Sequence, residues 1–178
     1  MAAVSTSNLV SNTGVVATDV TGVGTIKGYL AACEYGGDKG LFGYGVDVES
    51  YNNYSTTNLV SNVGVISTDV TGVGTARRGL GACNYGGDKG IFGYGHSTSD
   101  QNITNLVSNV GVVSTDVTGV GTARGQMTAT QYGQDKGIFG FGSPATAVTN
   151  LVSNTGVVAT DVTGVGTARQ TLAACAYN

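Results

Sequence analysis

The sequence predicts an all-β protein made of repeated units of four short antiparallel strands. The motif Asn-Leu-Val-Ser-Asn occurs four times, with spacings of 50, 47 and 45 residues, and a period in this range is typical of solenoids, propellers and other repeat arrays. Each copy consists of short runs rich in β-branched or aromatic residues, bounded by Gly, Asn or Asp, as in strands joined by hairpins. No segment has a sustained helical apolar period with caps, so we expect almost no helix.

The second copy shows the predicted elements in chain order. Its four apolar runs lie at residues 57–61, 65–68, 79–85 and 91–95. The turn Asn-Val-Gly separates the first two runs, a polar, glycine-rich connection precedes the third, and the loop Gly-Gly-Asp-Lys-Gly precedes the fourth. Each run has the length of a strand and each connection carries turn residues. We therefore assign four strands to a complete unit.

The copies differ in length in one loop per unit, at residues 46–56, 96–103 and 143–148. These loops hold 11, 8 and 6 residues, and their differences account for the whole change in the repeat period. Insertions are tolerated where the backbone is solvated, and repeated units bring equivalent loops to one face. We therefore expect selective contacts on this face and at the other positions where the copies vary, Tyr29, Arg78 and Gln126.

The composition excludes several functional classes. The chain has 178 residues, with 8 Lys and Arg against 11 Asp and Glu, which gives a net charge of −3. No excess of cations is present to neutralise phosphates, so we expect no binding to nucleic acid. The N-terminus has no basic start, and nowhere do about 18 apolar residues follow one another, so we expect neither a signal peptide nor a membrane span. The length fits a single domain.

The three cysteines, Cys33, Cys83 and Cys175, occupy the same position in their units. Equivalent positions in successive units face their own cores rather than each other. We therefore expect three reduced, buried thiols that act as small apolar side chains, and no disulfide.

One unit resembles the kelch motif. The stretch Ala-Arg-Arg-Gly-Leu-Gly-Ala-Cys-Asn-Tyr at 76–85, followed by Ile-Phe-Gly-Tyr-Gly at 91–95, resembles a motif in which an Arg opens a strand of small residues and an aliphatic-aromatic strand ending in glycines comes next. The resemblance implies a kelch-like β-propeller, here a small one of about four blades. It divides the chain into an N-terminal half-blade, three units and a C-terminal strand, at residues 1–25, 26–75, 76–122, 123–167 and 168–178.

In this scheme, strands from both termini share the fourth blade and close the ring. That blade has no counterpart of Ile-Phe-Gly-Tyr-Gly. Either it has three strands, or residues 2–4 replace the missing one, or another chain supplies it. An open stack that continues between chains and a larger ring built from two chains are the alternatives.

The repeats also look similar to arrays encoded in bacteriophage and uncultured-virus genomes, on the strength of Asn-Leu-Val-Ser-Asn-Thr-Gly-Val-Val-Ala-Thr-Asp at 150–161. This resemblance implies a structural or adhesive virion module, such as part of a phage tail, fibre or capsid appendage, made in the host cytoplasm. Its expected partners are other virion subunits or a host-surface glycan or protein, and it is a candidate homo-oligomer. The alternative is a lectin-like glycan-binding propeller or a kelch-type propeller for protein–protein interaction.

No catalytic, cofactor or metal site is predicted. Catalysis needs unlike groups that converge on one reacting centre, whereas near-identical repeats place like beside like. The candidate recognition loop consists of Tyr51, Asn52, Asn53 and Tyr54, whose aromatic faces and amides suit sugars or protein surfaces, together with His96. His96 is the single histidine and is expected to be a solvated loop residue.

Two residue types recur in every copy. Asp19, Asp69, Asp116 and Asp161 share the context Thr-Asp-Val-Thr-Gly. As a ring of carboxylates they would suit Ca²⁺, but the composition favours an Asx turn in which each Asp bonds its own backbone. Arg77, Arg124 and Arg169 stand where the first copy has Lys27. We expect these cations to bond carbonyls of a neighbouring unit, or the Asp of the preceding loop, rather than an anionic ligand.

Overall fold

The protein is all-β, as predicted. The computed structural model describes residues 3–176, which contain nine strands and no helix. The strands are β1 (Ala31–Tyr35), β2 (Lys39–Gly43), β3 (Thr57–Val60), β4 (Gly81–Tyr85), β5 (Lys89–Gly93), β6 (Thr104–Val107), β7 (Thr128–Tyr132), β8 (Lys136–Gly140) and β9 (Thr149–Val152). They form three antiparallel sheets in the orders β1-β2-β3, β4-β5-β6 and β7-β8-β9. The described part of the chain contains no helix able to cross a membrane.

Each sheet begins with a tight hairpin. In the first sheet, Cys33 pairs with Leu41, and the turn between β1 and β2 places Gly36 and Gly37 at φ of +63° and +78°. Glycine adopts this left-handed region without a steric penalty, so the Gly-Gly-Asp sequence sets both the turn and the register. Strand β3 then pairs with the other edge of β2.

The prediction of four strands per unit is wrong, because each sheet has three. The run at 65–68 is joined to β3 only by isolated bridges, such as that between Val60 and Ile66. The cause is the motif asparagine: Asn58 Nδ2 donates a hydrogen bond of 3.2 Å to the carbonyl of Ser67, and the equivalent asparagines make the same bond in the other copies. A side-chain amide thereby takes the place of a backbone amide and interrupts the ladder.

The second strand of each hairpin also ends earlier than predicted. Strand β5 ends at Gly93, because Tyr94 and Gly95 turn into the left-handed region, with φ of +61° and +99°. Tyr44 and Phe141 have the same conformation in the other units. The Gly-aromatic-Gly sequence therefore terminates the strand and directs an aromatic ring toward the next unit.

The sheets pack face to face in sequence order, with β1 against β4 and β4 against β7. The contact between the first two sheets contains a T-shaped pair of Tyr44 and Phe92, whose ring centroids are 5.2 Å apart. Tyr94 and Phe139 repeat this contact between the second and third sheets at the same distance. The described residues form no closed propeller, and no β-bridge among them joins the N-terminal segment to the C-terminal segment.

Both terminal segments are less regular than predicted. The N-terminal hairpin is held by isolated bridges between Ser7 and Val20 and between Val10 and Val16. Residues 168–176 form no strand, although a bridge joins Thr146 to Arg169. A strand needs a partner on its edge, and this segment has no second strand of its own to pair with. Residues 1–2 and 177–178, at the two ends of the predicted fourth blade, lie outside the described residues.

Close approach of neighbouring sheets explains the small residues in the first strands. The thiol of Cys33 lies over Gly90 of the next unit, where an added Cβ would overlap Sγ, and Cys83 lies over Gly137 in the same way. Both cysteines are buried and free. Cys175 is free but exposed, which corrects the prediction of three buried thiols. Within the described residues, no glycine of another unit lies against its thiol.

Candidate functional site

The positions at which the copies differ converge on one cavity. We call it the loop cavity. It has a volume of about 300 Å³ and is lined by Tyr29, Tyr51, Arg78, Gly79, His96, Asp100, Gly125, Gln126 and Ser143. These residues come from three consecutive units, and all three variable loops contribute to the lining. A concave site with aromatic faces and a few convergent polar groups is the usual form of a ligand site.

A row of backbone hydrogen bonds fixes the floor of the loop cavity. The amide of Gly79 donates to the carbonyl of Tyr29 at 2.9 Å, and the amide of Gln126 donates to the carbonyl of Gly79 at 2.7 Å. Tyr29 and Gln126 hold φ of +52° and +49°, a region that costs a non-glycine residue energy. The contacts between units therefore hold both side chains in a strained backbone conformation at the cavity.

Tyr51 stands on a tight turn rather than on a loose loop. The carboxylate of Asp47 accepts hydrogen bonds from the amide of Glu49 at 2.8 Å and from the hydroxyl of Ser50 at 2.6 Å. Hydrogen bonds from Ser50 and Glu49 hold the pKa of Asp47 below its usual range. The amide of Tyr51 donates to the carbonyl of Asp47, and its side chain is 71% exposed. An ordered turn thus presents the aromatic ring to solvent.

Arg78 supplies the positive charge of the loop cavity. Its Nη1 donates a hydrogen bond of 3.0 Å to the side-chain oxygen of Asn53. The amide nitrogen of Asn53 in turn donates to the carbonyl of Ser97 in the next loop, at 3.3 Å. Among the described residues, the guanidinium makes no other side-chain hydrogen bond, so its remaining N–H groups are available to a ligand.

His96 and Asp100 form the second polar group. The His96 Nδ1 and the Asp100 Oδ1 are 2.9 Å apart, and both side chains are about one-third exposed. The sequence alone suggested a solvated histidine, whereas the structure gives it a carboxylate partner four residues away. Gly125 of the third unit lies against this pair, since a Cβ added there would lie 3.5 Å from the Asp100 oxygen.

The predicted recognition loop is split by the structure. Tyr51 and His96 line the loop cavity, and Asn53 positions Arg78 beside it. Asn52 is exposed and donates to the hydroxyl of Ser50. Tyr54 is half-buried and lines a different cavity, together with Asp47 and Glu49.

Asp100 and Ser143 were not singled out from the sequence. Both lie in the loops whose lengths differ between copies, and this was the only signal that pointed to them. Their chemical types give no pattern, because the neighbours that make them part of a site come from other units.

The recurring aspartates and arginines lie outside the loop cavity. They are at the junctions between units, where the linker that leads into each Arg-bearing strand contacts the loop that carries the aspartate. The linker residue Thr75 donates to Asp116 Oδ2 twice, from its amide at 3.0 Å and from its hydroxyl at 2.6 Å. Asn105 donates to Asp116 Oδ1 at 2.9 Å. Burial raises the pKa of Asp116, but the hydrogen bonds from Thr75 and Asn105 outweigh burial, and the net pKa lies below the usual range. Asp69 and Asp161 have equivalent partners.

This geometry corrects the prediction of Asx turns, because these aspartates accept hydrogen bonds from a linker threonine rather than from their own backbone. Arg77 completes the junction. It is fully buried, its Nε donates to the carbonyl of Tyr94 and its Nη2 to the oxygen of Asn105, both at 2.7 Å. Its nearest carboxylate, Asp116 at 4.0 Å, belongs to the following loop rather than the preceding one.

The chain matches no protein-family model and no curated protein sequence.

The junction residues and the residues that line the loop cavity differ in what they can do chemically. At the junctions, no buried side-chain nitrogen or oxygen of the described residues lacks a hydrogen-bond partner, so these groups serve the fold. Within residues 3–176, no cluster of three or more metal-ligating side chains exists. The loop cavity instead combines two exposed aromatic rings, a guanidinium and a carboxylate with an unengaged oxygen. This arrangement can stack on a flat apolar face and exchange hydrogen bonds with hydroxyl groups.

Proposed function

We propose that the protein is a non-enzymatic adhesive module of a virion and that its loop cavity binds a host-surface glycan. The observation that carries this proposal is the convergence of the variable positions on one cavity. Units that are otherwise nearly identical differ at Tyr29, Arg78 and Gln126 and in the three loops, and these differences meet at the same place. A recognition site is the part of a repeat protein that must depart from the repeat.

The chemistry of the loop cavity favours a carbohydrate. Tyr29 and Tyr51 are 66% and 71% exposed, so their rings offer faces on which the C–H side of a sugar ring can stack. Arg78 and Gln126 supply N–H donors, and Asp100 supplies an acceptor for hydroxyl groups. A volume of about 300 Å³ is at the lower end for small-molecule sites and suits one or two sugar residues.

The virion and kelch-like parts of the proposal rest on resemblance. The first is supported by the similarity of residues 150–161 to phage-encoded arrays, and the second by the motif at 76–95. The non-enzymatic part is supported by the polar groups of the loop cavity, which come from loops of three units. They include one His–Asp pair, and among the described residues no second basic or nucleophilic group is bonded to this pair.

A glycan array of bacterial surface polysaccharides tests the proposal. We expect the wild-type protein to bind a small subset of these glycans, and we expect Tyr51→Ala to weaken that binding by more than about tenfold, as for an aromatic anchor. Tyr29→Ala is expected to act in the same direction. Both side chains are exposed, so the thermal stability of the variants should match that of the wild type.

Tyr54→Ala is the matched control, because it removes the same side chain from the same loop but outside the loop cavity. It should leave glycan binding unchanged. Equal losses for Tyr51→Ala and Tyr54→Ala would contradict a role for the cavity itself. Absence of glycan binding, with virion assembly still sensitive to Tyr51→Ala, would replace the glycan by a neighbouring virion subunit and favour the protein-interaction alternative.

A further inference from the structure

Each internal junction joins a donor edge to an acceptor edge. On the donor edge, a linker supplies a glycine, a threonine and a cation, as in Gly121, Thr122 and Arg124. On the acceptor edge, the next strand pair supplies Asn150 and Asp161. The fit is close, since a Cβ added to Gly121 would overlap the Asp161 carboxylate and lie 2.7 Å from the Asn150 amide nitrogen.

A second contact accompanies the first at the same junctions. Leu106 and Tyr85 pack against the turn glycine of the following unit, Gly156, and both lie 2.9 Å from the position of a Cβ added there. Tyr85 is 4% exposed as a result. Gly111 receives Leu59 and Tyr35 in the same way.

The C-terminal end of the array carries the donor edge without an acceptor. Gly166 has the same left-handed conformation as Gly121, with φ of +83°, but its Cβ position has nothing within 4 Å. Thr167 and Arg169 are exposed, and among the described residues neither side chain donates a hydrogen bond. The partners of the second contact are uncovered too. Tyr132 and Leu151 are 37% and 38% exposed.

The N-terminal hairpin carries the acceptor edge without a donor. Asn8 donates to Asp19 Oδ1 at 2.8 Å, as Asn150 does to Asp161. Within the described part of the chain, Asp19 receives no hydrogen bond from a linker threonine. Gly14, the counterpart of Gly156, has nothing within 4 Å of its Cβ position. Among the described residues, the hairpin therefore presents an acceptor edge that no linker occupies.

We propose that the N-terminal hairpin of a second copy of this chain docks on the C-terminal donor edge, so that copies associate head to tail. Thr167 and Arg169 of one copy bond Asp19 and Asn8 of the other, and Leu151 covers Gly14. The charges are complementary, since a guanidinium meets a carboxylate. Both edges are open in the same chain at the same time, so the chain does not satisfy them internally in this structure. Such a heterologous contact produces a ring when the rotation closes and a filament when it does not.

Sedimentation velocity of the purified chain from about 1 to about 500 µM tests this proposal, a range that spans weak specific interfaces. We expect the mass to rise above that of one chain as concentration increases. Asp19→Lys and Arg169→Glu, each alone, should remain monomeric over this range, because each places like charges at the contact. An equimolar mixture of the two variants should associate again, since Arg169 of the first variant meets Asp19 of the second.

Asp38→Lys is the control, because it reverses the same charge on an exposed hairpin tip away from both edges and should associate like the wild type. Circular dichroism of each variant establishes that it is folded. A wild-type chain that stays monomeric at about 500 µM would overturn the proposal. So would association that survives both single charge reversals, or a mixture that stays monomeric, because the mixture restores the Asp19–Arg169 pair that the proposed contact requires.

Discussion

The guanidinium of Arg77 lies over the ring of Tyr44, with Cζ 4.4 Å from the ring centroid. Arg77 opens the second unit and Tyr44 ends the second strand of the first, so this cation–π contact connects consecutive units. Arg124 lies over Tyr94 at 4.5 Å and Arg169 over Phe141 at 4.3 Å. Burial raises the pKa of Tyr44 and of Tyr94 to about 12, so both rings stay neutral beside the arginines.

Replacement of Arg77 by Met should strongly destabilise the fold. It removes the donors to the carbonyl of Tyr94 and to Asn105 and leaves these buried acceptors without a partner. We expect the free energy of unfolding in urea to fall by about 2–5 kcal/mol. Arg169→Met is the matched control, because Arg169 stacks on an aromatic ring but is exposed. Similar losses for both variants would show that the buried hydrogen bonds contribute little.

The junction aspartates should make the free energy of unfolding depend on pH in the acidic range. The pKa of Asp116 is lower in the folded chain than in the unfolded chain, so its contribution is present above the unfolded pKa of about 3.9 and is lost as pH falls through the folded pKa. We expect the free energy of unfolding to decline below about pH 4. Asp69 and Asp161 act with the same sign.

Thr75→Val should reduce this acid dependence, because it removes the hydroxyl that donates to Asp116 at 2.6 Å. Urea titrations at several pH values between neutral and strongly acidic measure the effect. Thr167→Val makes the same change in a linker without an aspartate partner among the described residues, and it should leave the pH profile as it is at concentrations where the chain is monomeric. A Thr75→Val profile identical to that of the wild type would rule out this bond as the origin of the shift.

The junction glycines give a third test. An alanine at Gly121 is strained by its φ of +73° and must also displace the Asp161 carboxylate and the Asn150 amide. An alanine at Gly166 is strained by a similar φ but meets no atom within 4 Å. The strain costs about 1 kcal/mol in each case, so we expect the thermal midpoint of Gly121→Ala to fall well below that of Gly166→Ala. Equal midpoints would mean that the junction can open without cost.

Thiol reactivity should distinguish the three cysteines. Burial raises the pKa of Cys33 and raises that of Cys83 to about 12, so neither supplies much thiolate at neutral pH. With a disulfide reagent we expect one thiol to react rapidly in the folded protein, and three after denaturation. Cys175→Ser should abolish the rapid phase. Rapid reaction of all three thiols in the native protein would mean that the contacts of Cys33 with Gly90 and of Cys83 with Gly137 are transient.

The sequence predicted the class of fold because strand periodicity and turn residues are local signals. It failed at 65–68, where Val65 and Ile66 look like strand residues but the side-chain amide of Asn58 occupies the Ser67 carbonyl that a fourth strand needs. It also assigned a strand to 168–178, although a strand without a partner on its edge does not persist. Neither effect is visible in the pattern of apolar residues.

The hydrogen-bond partner of each junction aspartate could not be predicted from the sequence either. Asp116 bonds Thr75, 41 residues earlier in the chain, whereas Thr-Asp-Val-Thr-Gly reads locally as a self-contained turn. The prediction of a closed ring failed for a related reason. Neighbouring units make the same contacts in an open row as in a ring, so the repeat pattern does not distinguish the two. The loop cavity could be anticipated from the differences between copies, which do not depend on local structure.

The sameness of the junctions has an evolutionary consequence. Residues 57–77 and 104–124 are identical except for Ile66 and Val113, so unequal exchange between such copies can add or delete a whole unit in frame. The new neighbours then meet through the same threonine, arginine and aspartate as the old ones. A single genetic event therefore changes how many loops the surface displays and which loops stand side by side, and the interior needs no compensating substitution.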